Sequence, residues 1–358
     1  GSMGTKALQV GAQANQTIGL SIGSFSANSL GGSTGDLVGA AISGTAAAAI
    51  TAVKSLTDAA GAAVSINGKT LSDISSTASI DTVNELVGAL NSDLASVNVE
   101  AKTVSELSAG SAGSGVLTGG AAVKIDVVDG NGHTQSIMIS DTNSMKDVVD
   151  AINNKAGGII QASLNDSGKL VLTSENTASI TIAGAGTGTA ATNLQAVGFS
   201  ATDPATTNFS LVFNATPGNT EGVKIEVAAG EEADLVAVGF DALQADGSIG
   251  GSAITTTSAL NKGDLIINGV EIGAVAAGGD EDEQAENLMS AINQKSAETG
   301  VVAYLKGTDG VALKSATGSE ISIKYGDNAA STISTDTGLL ERNATEGAGS
   351  VASIDIST

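Results

Sequence analysis

One pattern recurs three times along this chain, and it limits the fold more than any other feature. Val83, Leu86, Val87 and Leu90 stand at i, i+3, i+4 and i+7; so do Met145, Val148, Val149 and Ile152, and again Ala285, Leu288, Met289 and Ile292. Each set predicts an amphipathic helix of about three turns with one buried stripe. Each ends in the same tripeptide shape: Ala89-Leu90-Asn91, Ala151-Ile152-Asn153, Ala291-Ile292-Asn293. Asp81, the run Asp141-Thr142-Asn143-Ser144, and Asp280 to Glu283 stand at the helix starts, where acidic and short polar side chains satisfy free N–H groups. A chain that repeats one helix in this way builds several similar small cores.

Strand signals flank every helix. Ile66-Asn67-Gly68 and Ile267-Asn268-Gly269 carry the Asn-Gly pair of a tight hairpin, and Asp129-Gly130-Asn131-Gly132 separates predicted strands at 123–128 and 135–140. Extended segments follow the helices at 97–104, 159–164 and 301–305. The second repeat closes with Leu170-Val171-Leu172 and Ile180-Thr181-Ile182, the third with Val311-Ala312-Leu313 and Ile321-Ser322-Ile323. The first has no such pair after Val104; it runs into a loop-like stretch at 108–115. A matching pair comes later, at Leu211-Val212-Phe213 and 223–227, and a trailing element follows twice, at 194–199 and 235–240. Two readings account for this. Either the second repeat is inserted inside the first, which loop-closure entropy makes cheap, or 205–250 is a separate copy that has lost its helix.

The expected fold class is α+β: mostly β, multi-domain, with repeated ββα-ββ units, small antiparallel sheets each with one amphipathic helix, on a short β stem. The nested reading divides the chain as follows. Residues 1–3 read as a cloning scar and 4–40 as a stem hairpin region. Residues 41–115 plus 205–250 form an interrupted first α+β unit, with 116–204 an inserted second unit. A third unit spans 251–346, and 347–358 is a return strand to the stem.

Composition narrows the function. The chain has 358 residues, with 38 acidic against 15 basic and a formal net charge of −23. Nucleic-acid binding needs clustered Lys and Arg, and Arg342 is the single arginine. An anionic membrane surface repels such a chain, and no segment approaches the roughly 18 apolar residues of a membrane span. With no cysteine, disulfides, thiolate metal sites and thiol catalysis are excluded. Aromatics are 2% of residues, which offers few of the platforms a carbohydrate-binding adhesin normally exposes.

The ends and repeats together carry a resemblance. Leu8-Gln9-Val10-Gly11-Ala12-Gln13-Ala14-Asn15-Gln16-Thr17-Ile18 resembles the stretch of bacterial flagellins just after the N-terminal helices, where the chain enters a β-hairpin. Ser350-Val351-Ala352-Ser353-Ile354-Asp355-Ile356-Ser357-Thr358 resembles the segment just before their C-terminal helices. The repeats resemble the motif shared by flagellins and hook-associated proteins, named for the Ile-Asn pair seen at Ile152-Asn153 and Ile292-Asn293. The resemblance implies the central, outer-domain region of a filament subunit, secreted and extracellular, serving motility and displaying the antigenic surface. Its implied partners are other flagellin subunits, through helical ends missing from this sequence; the fragment itself is expected to be monomeric. Ser and Thr residues are implied carriers of O-linked glycans, at positions the sequence does not choose. A hook-associated or filament-cap protein and a surface adhesin module are the alternatives.

The expectation for chemistry is none: no catalytic, cofactor-binding or metal-ligating residues, and no cofactor. His133 is the sole histidine and sits beside a hairpin turn. Some flagellins carry a His-Glu-x-x-His protease helix, which is absent here. Asp280-Glu281-Asp282-Glu283, and Asp126 with Asp129, lack the alternating spacing of a calcium loop; a helix start and a solvated turn explain them. Gly184 to Gly188 lack the lysine of a phosphate-binding loop, and the sequon Asn214-Ala215-Thr216 is read as fortuitous.

Overall fold

The computed structural model describes residues 6–9, 17–20, 37–58, 64–77, 79–201, 204–219, 222–227, 232–243, 248–316, 321–326 and 332–343. The expected return strand at 347–358 lies outside the described residues, as does most of 4–40.

In chain order, β1 (Lys6–Gln9) and β2 (Thr17–Leu20) pair antiparallel. Next come β3 (Leu37–Val38), α1 (Ala46–Ser55), the hairpin β4 (Ser65–Ile66) and β5 (Lys69–Thr70), α2 (Val83–Leu94) and the long β6 (Val99–Ala112). A second hairpin, β7 (Val116–Asp129) and β8 (Thr134–Asn143), precedes α3 (Met145–Lys155) and β9 (Gln161–Leu164). β10 (Lys169–Glu175), β11 (Thr177–Gly186), α4 (Ala190–Ala196), β12 (Ala205–Asn208) and β13 (Ser210–Ala215) follow. Then come β14 (Ile225–Glu226), α5 (Glu232–Ala237), β15 (Ala242–Leu243), β16 (Ile249–Ala253), β17 (Leu265–Ile267) and β18 (Val270–Glu271). The chain continues through α6 (Glu281–Gln294), the short α7 (Ser296–Thr299), β19 (Val301–Lys306), β20 (Gly310–Ser315), β21 (Ile323–Tyr325) and α8 (Ile333–Thr337). The fold is α+β and mostly β, in small antiparallel sheets.

The three predicted helices start on the same device. Thr82, Ser144 and Asp280 each accept the N–H of the residue three positions on, namely Glu85, Asp147 and Glu283. Those acidic side chains reach back to main-chain N–H groups at Thr82, Asn143 and Gly279. Two free donors are thereby satisfied at each start, beside the positive end of the helix dipole.

The apolar stripes organise three cores. Leu86, Leu90 and Leu94 of α2 pack with Ile66, Phe209, Phe213 and Phe240. Val148 and Ile152 of α3 pack with Ile125, Ile139, Leu172 and Ile180. Leu288 and Ile292 of α6 pack with Ile267, Leu313 and Ile323. Each fully buried side chain of this size contributes about 1.5–3 kcal/mol of transfer free energy. Val87, Val149 and Met289, the i+4 members, are half-buried at the margins.

Under these helices the sheets repeat in register. Phe213 on β13 lies between Leu37 on β3 and Ala101 on β6. Leu172 on β10 lies between Leu107 on β6 and Ala162 on β9. Leu313 on β20 lies between Ile249 on β16 and Ala303 on β19. In all three rows a large apolar residue in the middle strand is flanked by a large one and an alanine, all buried.

The first two rows belong to one five-stranded sheet, β3-β13-β6-β10-β9, with β6 common to both. From Val99 to Val104 β6 pairs with β13; from Val104 to Ala112 it pairs with β10. The expected loop at 108–115 is therefore strand as far as Ala112. Ser108, Ala109, Gly110 and Ser111 have the composition of a turn, but β10 supplies a ladder, and a partner strand outweighs weak local propensity.

Candidate functional site

The asparagine that ends each apolar stripe does one job three times. Asn91 Nδ2 donates to the Ala101 carbonyl at 3.0 Å and its Oδ1 accepts the Ala101 N–H at 2.6 Å. Asn153 holds Ala162 in the same way at 2.9 and 2.8 Å, and Asn293 holds Ala303 at 2.8 and 2.8 Å. An asparagine amide has one donor face and one acceptor oxygen side by side, so it pairs with a peptide as a neighbouring strand does. Leaving those groups buried without partners costs about 1–3 kcal/mol each. The clamped alanines are the small members of the three rows described above, because the helix end must come close to the strand.

Two further contacts repeat. Asn67 and Asn268 sit at the left-handed φ of 49° and 50° in their Asn-Gly turns. Asn67 Oδ1 accepts the Lys224 N–H at 2.7 Å, and Asn268 Oδ1 accepts the Ser322 N–H at 2.8 Å. In each case the turn asparagine receives the start of the closing strand, β14 or β21. A glycine after the trailing helix also meets the strand that enters each core. The N–H groups of Ala40, Ser111 and Ser252 donate to the carbonyls of Gly239, Gly198 and Gly338 at 2.8, 3.0 and 2.7 Å. The trailing stretches coil identically, with Phe240 and Phe199 each donating to the leucine five residues back, Leu235 and Leu194.

The charged candidates are elsewhere and apart. His133 is exposed at the tip of the β7–β8 hairpin, its Nδ1 3.5 Å from Asp129 Oδ2. Asp129 is held below the usual carboxylate range by the N–H of His133 and then that of Asn131. Burial pushes Asp126 up, but Lys124 at 2.7 Å and the Ser136 hydroxyl outweigh it and leave its pKa lowered. Asp280 caps α6, and Glu281, Asp282 and Glu283 form its first turn. Asn214 lies on β13 opposite Glu100. Among the described residues, no three His, Cys, Asp or Glu side chains converge on a metal-sized space, and no helix is long and apolar enough to cross a membrane.

Sequence reading missed one buried polar cluster, where the first and third cores meet. Val38 N–H donates to Asn343 Oδ1 at 2.7 Å, and Asn343 N–H donates to the Val38 carbonyl at 2.9 Å. Asp241, 3% exposed, accepts the Leu340 N–H at 3.0 Å. Burial pushes the Asp241 carboxyl up to about 7 in spite of that N–H and the nearby charges of Arg342 and Lys306. Burial also raises Glu341 and the Tyr325 phenol beside it. The only signal was that the single arginine lies close to the end of the third repeat.

The arrangement of α3 and its flanking strands can be compared with known sequences. Residues 114–176 match the flagellin hook IN motif. The matched stretch runs from the start of β7 to the end of β10 and contains Asn153 and its clamped Ala162. No curated protein sequence matches the chain. Among solved structures it is similar to the flagellar cap protein FliD of Escherichia coli, domains D1-D2-D3, at 13% identity and a TM-score of 0.21, covering 54% of this chain and 65% of that one. It is also similar to FliD of Helicobacter pylori, at 12% identity and a TM-score of 0.20, covering 68% of this chain and 57% of that one. The chain thus spans less than two thirds of either protein.

Proposed function

We propose that this chain is a non-enzymatic structural part of the bacterial flagellum, the surface-exposed outer domains of a filament subunit. The observation that carries the reading is the flagellin hook IN motif at 114–176, whose Asn clamp recurs at Asn91 and Asn293. Such domains lie outside the cell on a motility filament, form its antigenic face, and depend on neighbouring helical segments to join other subunits. Ser and Thr residues on exposed loops are the carriers proposed for any O-linked glycan. We also propose the nested division: a first unit of 41–115 plus 205–250, an inserted second unit of 116–204 and a third unit of 251–346. The pairing of β13 with β6 and the matching contacts of Asn67 and Asn268 support it.

The test is a pair of chimaeras. Residues 4–358 joined between flagellin helical ends should restore filaments and swimming to a bacterium lacking flagellin. Rescue only of a strain lacking its filament cap would assign the chain to the cap instead. Failure of both, with the chimaeras folded and exported, would sink the flagellar reading and favour an adhesin.

A further inference from the structure

We infer that Asn153 and Asn293 guard the outer edges of β9 and β19 against strand addition by a second copy of this chain. Among the described residues both strands are the last in their sheets. An N–H has one hydrogen, so the Ala162 and Ala303 N–H groups given to asparagine point away from β10 and β20, along the open edge. An edge with unpaired N–H and C=O groups is a template for another chain, and a side chain that occupies them removes the template. On β19 the guard is doubled, because the Val301 N–H donates to Thr299 Oγ1 at 3.1 Å. Beyond the clamps both strands stop quickly, β9 at Leu164 and β19 at Lys306.

The chain itself shows what occupies such an edge when the strand outruns its clamp. On β6, Asn91 closes Ala101, but the strand continues to Ala112. Two residues past the clamp the Thr103 carbonyl accepts the Asn176 N–H at 2.9 Å, and from Val104 onward the edge is filled by β10. The intruder is another strand of this same sequence. Of the four large apolar side chains exposed among the described residues, two sit on the guarded strands: Leu164, 40% exposed, and Val302, 46% exposed. A second copy offering the same edge antiparallel would cover them, giving a two-fold, self-complementary contact.

The experiment compares wild type, N91A, N153A and N293A by light scattering after size exclusion over a wide concentration range, with circular dichroism as the check on folding. Wild type and N91A should run as monomers, since β10 already fills the β6 edge from Val104 onward and leaves too short a stretch beside Ala101 for another strand. N153A and N293A should stay folded and shift to twice the monomer mass. Adding an edge lysine, L164K or V302K respectively, should return each to monomer. A wild-type dimer overturns the inference. So does N153A or N293A that remains a folded monomer, or loses its fold without associating; the asparagines would then only brace the helix ends.

Discussion

Gly198, Gly239 and Gly338 show how much one missing Cβ decides. Each lies at positive φ, 90°, 92° and 68°, and a Cβ on each would stand 2.1–2.3 Å from the carbonyl oxygen of the entering strand, at Ser111, Ala40 and Ser252. Substitution therefore adds a left-handed strain of about 1–2 kcal/mol to an overlap that only main-chain movement relieves. Gly68 also has positive φ, but nothing lies within 4 Å of its would-be Cβ. We expect Gly239→Ala to lower stability by about 3 kcal/mol or more and Gly68→Ala by about 1 kcal/mol, read as urea midpoints at constant slope. Equal losses would show that the clasp is not a closing contact. The sequence makes the trailing Val-Gly-Phe visible twice, at 197–199 and 238–240, yet hides its purpose, because the strand it meets is remote along the chain. The asparagine clamp was legible only as a repeated letter; that it holds a strand edge depends on a partner nine or ten residues later, which no helical periodicity reports.

At the scale of elements, α2, α3 and α6 were readable almost to their ends, since apolar spacing, cap and terminal asparagine all agree on one structure. The far half of β6 was not. Its small residues read as a turn, and only β10, brought in from the following core, makes them a strand. The shared strand has a direct consequence for engineering. Val104 faces Ser210 across adjacent strands, as Lys306 faces Gly310 across the turn at 307–309. Replacing residues 105–208 with Gly-Thr-Asp, the sequence of that turn, joins Val104 to Ser210 through those three residues and the retained Phe209, and should leave a folded protein with two cores. Its circular dichroism should keep the helix and strand signals, with the melting temperature lowered by the loss of Ala178 from beside Phe209. An unfolded product would count against the nested division and favour a separate copy at 205–250.

For the molecule as a whole, the seam around Asp241 ties the first core to the third, and its protonation sets a pH dependence. The folded-state value of about 7 stands above the ordinary 3.8, so the native state holds this proton more tightly than the unfolded chain does. Protonation there stabilises. Stability from this group is fully present below about 4, declines as pH rises toward 7, and is level above. Glu341 acts in the same direction. Asp93, Asp126 and Asp336 have lowered values and act oppositely, losing their contribution only as pH falls through and below the ordinary carboxylate range. The urea midpoint should therefore be higher at pH 5 than at pH 8, and Asp241→Asn, which keeps an oxygen for the Leu340 N–H, should shrink the difference. A difference unchanged in Asp241→Asn would move the effect to other groups.

The pairing of Val104 with Ser210 also dictates when each core can be finished. About 100 residues separate that pair, against a handful between Lys306 and Gly310, and closing the longer gap as open chain costs about 3 kcal/mol more in entropy. Most of that penalty disappears once the second core has collapsed, because it then hands β6 and β12 back near one another. On the nested division proposed above, the chain closes inner before outer. A ribosome that pauses at Asn208 leaves the first core lacking Phe209, Phe213 and Phe240, with α2 formed and its apolar stripe bare to any chaperone nearby.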